Sequence, residues 1–299
     1  MKFNSTSSML FIGHDKGIKI HAFQNGCLHK ICQFYHSKNG LINLNCKKDT
    51  NLFSCCEKMI KMRSLFGVNN QKIQMKIHAN NNLFTCFAIC EKKNLIVAGL
   101  EKLIYFWEES GQCVVKLDLK EIDEIDDWVF SLRFNESQNK LITCYGNNTI
   151  AIIQQQNNNI QSWKIIQLIV LNNFGAQAYF FGDDIFVVHP WMSKTMQVYK
   201  FCEENYLFKL SNSFLLEGEG QQCNSFQTIY IKQRRLFIKQ DKNILCLFLI
   251  DKNQEFQVFQ KVKFEGNFIF GTISDDGQWL IIWEEFSKQM EVISFCFLK

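Results

Sequence analysis

Residues 95–107 read LIVAGLEKLIYFW, which is an apolar strand, a short polar turn and a second apolar strand. Similar hairpins occur seven times in the 299-residue chain. They begin at Met9, Leu52, Leu95, Leu141, Ile185, Leu236 and Leu280. Successive starts are 43 to 51 residues apart. A period of about 40 to 45 residues with several strands per repeat is typical of propeller blades.

Each hairpin is preceded by another apolar stretch with a hydrophilic turn and followed by a looser strand, so one repeat holds four strands. Apolar side chains alternate with others within the strands, as in GIKIHAF at residues 17–23,. A single ribbon of this kind leaves an apolar face exposed and gains stability by stacking on its neighbours. The sequence therefore predicts an all-β fold, a seven-bladed β-propeller of four-stranded antiparallel blades, with residues 1–299 as one domain.

The number of strands raises a question about one blade. Seven blades of four strands need 28 strands, whereas the pattern accounts for about 27. One alternative is a three-stranded blade without functional consequence, and the other is that a partner or a further segment of a longer protein donates the missing strand. Unpaired strand edges recruit extended peptides, so the second alternative is a hypothesis about function.

The hairpins resemble the repeats of the WD-repeat family across essentially the whole chain. Gly99-Leu100-Glu101 lies where that family has a small residue, any residue and an acid, and Trp107-Glu108 lies where it has Trp-Asp. Gly13-His14-Asp15 matches the same turn. The resemblance implies that His36 and His78 occupy the family's structural histidine position. In the blade of Trp107 the matching polar set is His78, Glu101 and Trp107, without a hydroxyl, so we expect apolar packing to dominate stability.

The best candidate for a partner-binding surface is the segment KEIDEIDDW at residues 120–128. Its acids are Glu121, Asp123, Glu124, Asp126 and Asp127. They form a negative patch suited to a basic peptide, with Trp128 as an aromatic anchor. Trp191, in the long turn after Ile185, is expected on the same face. The alternative is a solvated loop with Trp128 in the core.

Composition excludes several kinds of site. A formal net charge of +4 without a broad basic stripe argues against nucleic acid,. No apolar run is long enough for a signal peptide or a membrane span. Thirteen cysteines without a scaffold spacing are typical of free thiols in a reducing, cytoplasmic setting,. Cys27, His29 and Cys32 favour packing over metal binding, and His189 is expected at the surface.

No catalytic motif, phosphate-binding loop or cofactor signature is present in the sequence. The sequence therefore favours a non-catalytic protein-interaction scaffold whose partners are proteins or peptides, with no cofactor, metal or small-molecule substrate. A second hypothesis is a structural propeller segment of a larger chain or fixed assembly, completed by a partner strand. A propeller enzyme using its central channel is the third, and it would need a converging set of acids, histidines or metal ligands that the sequence does not offer.

Overall fold

The structure is a computed structural model, and it describes most of the chain. The described residues are 1–14, 17–35, 41–47, 51–65, 73–79, 82–118, 127–173, 175–190, 193–216, 226 and 228–295. The chain divides into two compact units. The first unit comprises Met1–Lys38 and Leu216–Lys299, and the second is Asn39–Leu215.

The second unit contains four antiparallel sheets, each built from four consecutive strands. The sheets are β5 (Leu41–Lys47), β6 (Asn51–Cys56), β7 (Met59–Ser64) and β8 (Ile73–His78); β9 (Phe84–Cys90), β10 (Leu95–Leu100), β11 (Leu103–Glu108) and β12 (Cys113–Asp118); β13 (Val129–Phe134), β14 (Lys140–Tyr145), β15 (Thr149–Gln155) and β16 (Trp163–Val170); and β17 (Gly175–Phe181), β18 (Ile185–Pro190), β19 (Thr195–Cys202) and β20 (Leu207–Leu215). A short 3-10 turn, Glu91–Lys93, connects β9 to β10.

The first unit contains three antiparallel sheets. They are β1 (Lys2–Phe3), β2 (Met9–His14), β3 (Gly17–Gln24) and β4 (Cys27–Tyr35); β21 (Ile229–Ile231), β22 (Leu236–Asp241), β23 (Ile244–Ile250) and β24 (Phe256–Lys263); and β25 (Ile269–Ile273), β26 (Trp279–Glu284) and β27 (Met290–Ser294). A second 3-10 turn, Lys232–Arg234, precedes β22. In chain order these sheets are the first, sixth and seventh of the protein.

Seven sheets of consecutive antiparallel strands confirm the predicted fold class, an all-β β-propeller. Every predicted hairpin corresponds to the second and third strands of one sheet, and its start lies within one residue of the observed strand. The described residues form 27 strands, as the pattern indicated. The seventh sheet has three strands among these residues, whereas the first has its own inner strand, β1. That residues 1–299 form one domain stays a prediction.

The core lies between the faces of neighbouring sheets within each unit. In the second unit one buried cluster joins the third and fourth sheets through Phe106, Leu132 and Trp163. In the first unit another cluster joins the first and seventh sheets through Leu10, Phe23 and Ile281. In β10, Leu95 and Val97 belong to one buried cluster and Ile96, Ala98 and Leu100 to another, so both faces of this strand are covered. This is why the second strands are short apolar runs such as LIVAGL, whose six residues are all buried,.

Candidate interaction surfaces

Two residues of the predicted acidic patch can be placed, Asp127 and Trp128, while Glu121, Asp123, Glu124 and Asp126 lie outside the described residues. The backbone N–H of Trp128 donates to Asp127 Oδ1 at 2.6 Å. Asp127 also lies against Gly146, where an added Cβ would be 2.6 Å from Asp127 Oδ1. The glycine therefore leaves the space that this carboxylate occupies, at the turn immediately before β13.

Trp128 and Phe130 form an exposed aromatic pair at the start of β13. Their exposed fractions are 41% and 43%, whereas Val129 between them is fully buried. The backbone is held on both sides, because Val129 N donates to Glu101 O at 2.7 Å and Gly146 N donates to Trp128 O at 3.2 Å. Trp128 is thus outside the core, and the alternative interpretation that buried it is wrong. Trp191 lies outside the described residues.

The described residues assigned by the WD-repeat resemblance are not brought together by hydrogen bonds. His36 and Asp15 lie outside the described residues. His78 is exposed at the end of β8, opposite Met59. Trp107 is buried, with its ring centroid 6.0 Å from that of Phe84 and 5.4 Å from that of Tyr105. Among the described side chains, no hydrogen bond links His78 to Glu101 or Trp107, so aromatic packing surrounds Trp107 where the family has a polar network.

Sequence reasoning missed a series of lysines that bridge neighbouring sheets in the second unit. Lys47 binds Asn94 Oδ1 at 2.7 Å and pairs with Glu109 in the next sheet. Lys93 donates to Gln138 O at 3.1 Å and lies 5.5 Å from the centroid of the Trp163 ring.

Lys140 extends the lysine series to the fifth sheet. Its Nζ lies 4.4 Å from the centroid of the Phe201 ring, 5.4 Å from that of Phe208 and 4.0 Å from Asp184 Oδ1. Residues 47, 93 and 140 differ by 46 and 47 positions, and each lies at the connection between the first two strands of its sheet: Lys47 ends β5, Lys93 precedes β10 and Lys140 begins β14. The repeat period was the signal that could have revealed them.

Polar side chains at Asn135, Ser137 and Asp183 are also structural, because they hydrogen-bond to one another. Burial opposes ionisation of Asp183, but hydrogen bonds from the Ser137 hydroxyl and backbone N–H hold the pKa of this carboxyl below its usual value. Asp183 Oδ1 also accepts from Asn135 Nδ2 at 2.6 Å. His189 was predicted at the surface and is instead buried, and its Nε2 donates to Ser193 O at 2.7 Å.

The seventh sheet presents a different kind of surface. Third strands elsewhere in the first unit contain several buried residues, as β23 does at five of seven positions, because a fourth strand covers them. β27 contains no buried residue. In the described part of the chain, no strand pairs with its outer edge. The backbone groups along that edge are therefore available for pairing with an extended segment.

The described residues contain no group of three or more His, Cys, Asp or Glu side chains that could hold a metal ion. Ten described cysteines are free thiols. Burial raises the pKa of Cys86 to about 11 and that of Cys144 to about 12, so both are protonated near neutral pH,. None of the described helices has the length and apolarity needed to cross a membrane.

Comparison with known proteins adds no relative to this description. No protein-family model matches the chain, and no curated protein matches it significantly. The class of protein is therefore defined by its strands and sheets as a β-propeller.

Proposed function

We propose that this protein is a non-catalytic protein-interaction scaffold, a degenerate WD-repeat propeller that works within a larger complex. The observation that carries the proposal is the exposed pair Trp128 and Phe130 on a backbone held at both sides. Large aromatic side chains dominate binding energy when a partner covers them, and few other residues contribute as much. The WD-repeat assignment rests on the turn at Gly99–Glu101 and on Trp107-Glu108.

The partner that suits this surface is a protein segment containing basic residues. Asp127 precedes the aromatic pair, and the sequence places four more acids in the six residues before it. A negative patch beside an aromatic anchor attracts a cationic segment and speeds its association. We place the protein in the cytoplasm, since free thiols persist in a reducing compartment. No small-molecule substrate, nucleic acid or membrane enters the proposal.

The test is affinity purification of the tagged protein from its native cells, comparing wild type with a Trp128→Ala plus Phe130→Ala variant. We expect a stoichiometric protein to be lost from the variant, because its anchor is gone, while the thermal midpoint changes little. Tyr206→Ala is the matched control, since Tyr206 is 74% exposed and lies at another turn of the same unit. A partner retained equally by all three forms would contradict the proposal for this surface.

A second candidate function is favoured by the seventh sheet. The protein would then be one part of a fixed assembly, in which another protein supplies the fourth strand beside β27. The two candidates involve separate surfaces and can be tested separately.

A further inference from the structure

The outer edge of β27 presents a defined set of backbone groups. Phe295 N donates to Gln278 O at 2.8 Å, and Glu284 N donates to Gln289 O at 3.2 Å. In an antiparallel ladder, alternate residues bond to the same neighbour. The odd-numbered residues of β27 therefore bond to β26, which leaves the N–H and C=O groups of Met290, Val292 and Ser294 directed to the outer edge.

The side chains of an added strand would face the first and sixth sheets on alternate positions. Val292 packs on the cluster that joins the first and seventh sheets, and Ile293 packs on the cluster that joins the sixth and seventh. Side chains opposite Met290 and Val292 on an added strand would thus face the first sheet, and those between them would face the sixth.

The face that the first sheet turns toward the seventh is basic along its outer strands. Phe23 marks this face, because its ring centroid lies 5.8 Å from that of Trp279. His21 shares it and pairs with Lys30 across β3 and β4, while Lys19 is two residues away on the same side of β3,. Burial is the main cause that lowers the pKa of His21, and the charges of Lys19 and Lys30 lower it further. This agrees with the closeness of both lysines to the His21 ring.

No carboxylate balances these lysines among the described side chains. Lys30 Nζ contacts Gln33 Oε1 at 3.5 Å, and no ion pair of Lys19 or Lys30 is present in that part of the chain. Glu291 projects to the opposite face, toward the sixth sheet. The face of β24 turned toward the seventh sheet carries Val262 and Gln260, which are uncharged. Among the described side chains, the space beside β27 is therefore positive on the side of the first sheet and carries the carboxylate of Glu291 on the side of the sixth.

We propose that the outer edge of β27 binds an extended acidic segment of a partner protein as the fourth strand of the seventh sheet, with its carboxylates facing Lys19 and Lys30. The proposal deepens the second candidate function and rests on it. Main-chain pairing with Met290, Val292 and Ser294 supplies affinity, and alternate side chains supply specificity, as in other cases of strand addition. Carboxylates suit the face of the first sheet, and apolar side chains suit Ile293 and Val262.

The test uses the full chain and a fluorescein-labelled peptide, Thr-Val-Glu-Val-Glu-Val-Thr, with binding followed by fluorescence anisotropy. We expect this peptide to bind at least tenfold more tightly than its analogue with lysines in place of the glutamates. Lys30→Glu should weaken binding of the acidic peptide at least tenfold. Lys164→Glu, a matched change on the exposed fourth strand β16, should leave binding within twofold of wild type.

A matched pair at Val292 separates strand pairing from charge attraction. Val292→Pro removes a backbone N–H that points to the outer edge and leaves the ladder with β26 intact, while Val292→Ala removes the side chain and keeps the N–H. We expect Val292→Pro to abolish binding and Val292→Ala to retain it. Hydrogen exchange should show fast amides at Met290, Val292 and Ser294 in the free protein and protection of all three with the peptide.

Several outcomes would overturn the proposal. Equal binding by Val292→Pro and Val292→Ala would show that charge attraction suffices without strand addition. Protection of the three amides in the free protein would mean that a second copy or another part of the chain already occupies the edge. Equal or tighter binding of the lysine peptide would overturn the acidic chemistry. The Trp128→Ala plus Phe130→Ala variant should bind the peptide normally. Failure of the proposal for the β27 edge can therefore be distinguished from failure of the proposal for the Trp128 and Phe130 surface.

Discussion

In the second unit, single lysine side chains bridge neighbouring sheets at equivalent positions of successive repeats. Lys140 illustrates the principle, because its stem is buried and its ammonium lies over aromatic rings of the next sheet while keeping Asp184 within 4.0 Å. A buried cation is tolerated when rings and a carboxylate replace its water. Long lysine side chains can therefore act as structural residues between blades, although their polarity suggests surface positions.

The lysine bridge predicts a measurable effect at residue 140. Lys140→Met keeps the length and apolar stem but removes the charge, so we expect the free energy of unfolding to fall by about 1 kcal/mol. Lys164→Met, on an exposed face, should change it by less than about 0.5 kcal/mol. Denaturation by urea, followed by tryptophan fluorescence, measures both. Equal losses in the two variants would show that the cation over Phe201 contributes nothing.

Replacing Gly146 should displace Asp127 and thereby disturb the neighbouring aromatic pair, Trp128 and Phe130. Gly146→Ala places a Cβ against the Asp127 carboxylate, so we expect a loss of about 1 to 3 kcal/mol of stability and weaker partner binding,. Adding Asp127→Ala removes the clash and should restore most of the stability, in a double-mutant cycle. Thermal unfolding of the four proteins gives the coupling. Additive losses would contradict a direct contact.

At the scale of elements, one six-residue turn recurs between the first two strands of a sheet. In the first sheet Asn4 Oδ1 accepts from Met9 N at 2.8 Å, and in the fourth Asn135 Oδ1 accepts from Lys140 N at 2.8 Å. In the seventh sheet Ser274 Oγ accepts from Trp279 N at 2.9 Å. A side-chain oxygen at the same place satisfies the backbone where the chain reverses, which explains why Asn or Ser opens these turns.

Asn135 makes this turn testable. Asn135→Ala removes acceptors for two backbone N–H groups and a donor to Asp183, so we expect a loss of about 1 to 3 kcal/mol of unfolding free energy,. Gln161→Ala, at an exposed turn of the same sheet, should be close to neutral. Urea denaturation provides the comparison. A neutral Asn135→Ala would mean that water replaces the side chain without cost.

The order of the strands was predictable from the sequence, but the residues at which strands begin were less so. The hairpins at Leu52, Leu141 and Leu280 begin one residue earlier in the structure, because Asn51, Lys140 and Trp279 still pair in the ladder. Strand β1 has only two residues, too short for periodicity to identify, and Phe3 is buried at 3% exposure. The strand pairs with β2 through Lys2 and Phe11 and through Phe3 and Leu10, which closes a local hairpin.

At the scale of the molecule, the thiols report which parts of each unit are closed to solvent. Cys144 in the second unit and Cys246 in the first are buried, and burial raises the pKa of each to about 12. Cys27 is exposed at the start of β4. Because the thiolate is the reactive form, burial protects Cys144 and Cys246, whereas exposure leaves Cys27 accessible to a reagent,.

Alkylation of the native protein should follow this difference. With iodoacetamide at pH 8, we expect Cys27 to react at least about a hundredfold faster than Cys144 or Cys246. In strong denaturant the three should react at similar rates, which is the internal control. Peptide mass spectrometry measures each site. Rapid labelling of Cys144 in the native state would indicate that the second unit opens locally.

The sequence by itself determined the repeat period, the seven hairpins, the all-β class and the number of strands. These depend on alternation and turn residues within a dozen positions, so short-range pattern suffices. Tertiary structure decided that Trp128 is exposed, that His78 lies away from Trp107, that His189 is buried, and that Lys19 and Lys30 face the edge of β27. The exposure or burial of a side chain, and its distance from the residues it was expected to meet, depend on how the segments pack in space, which no local pattern determines.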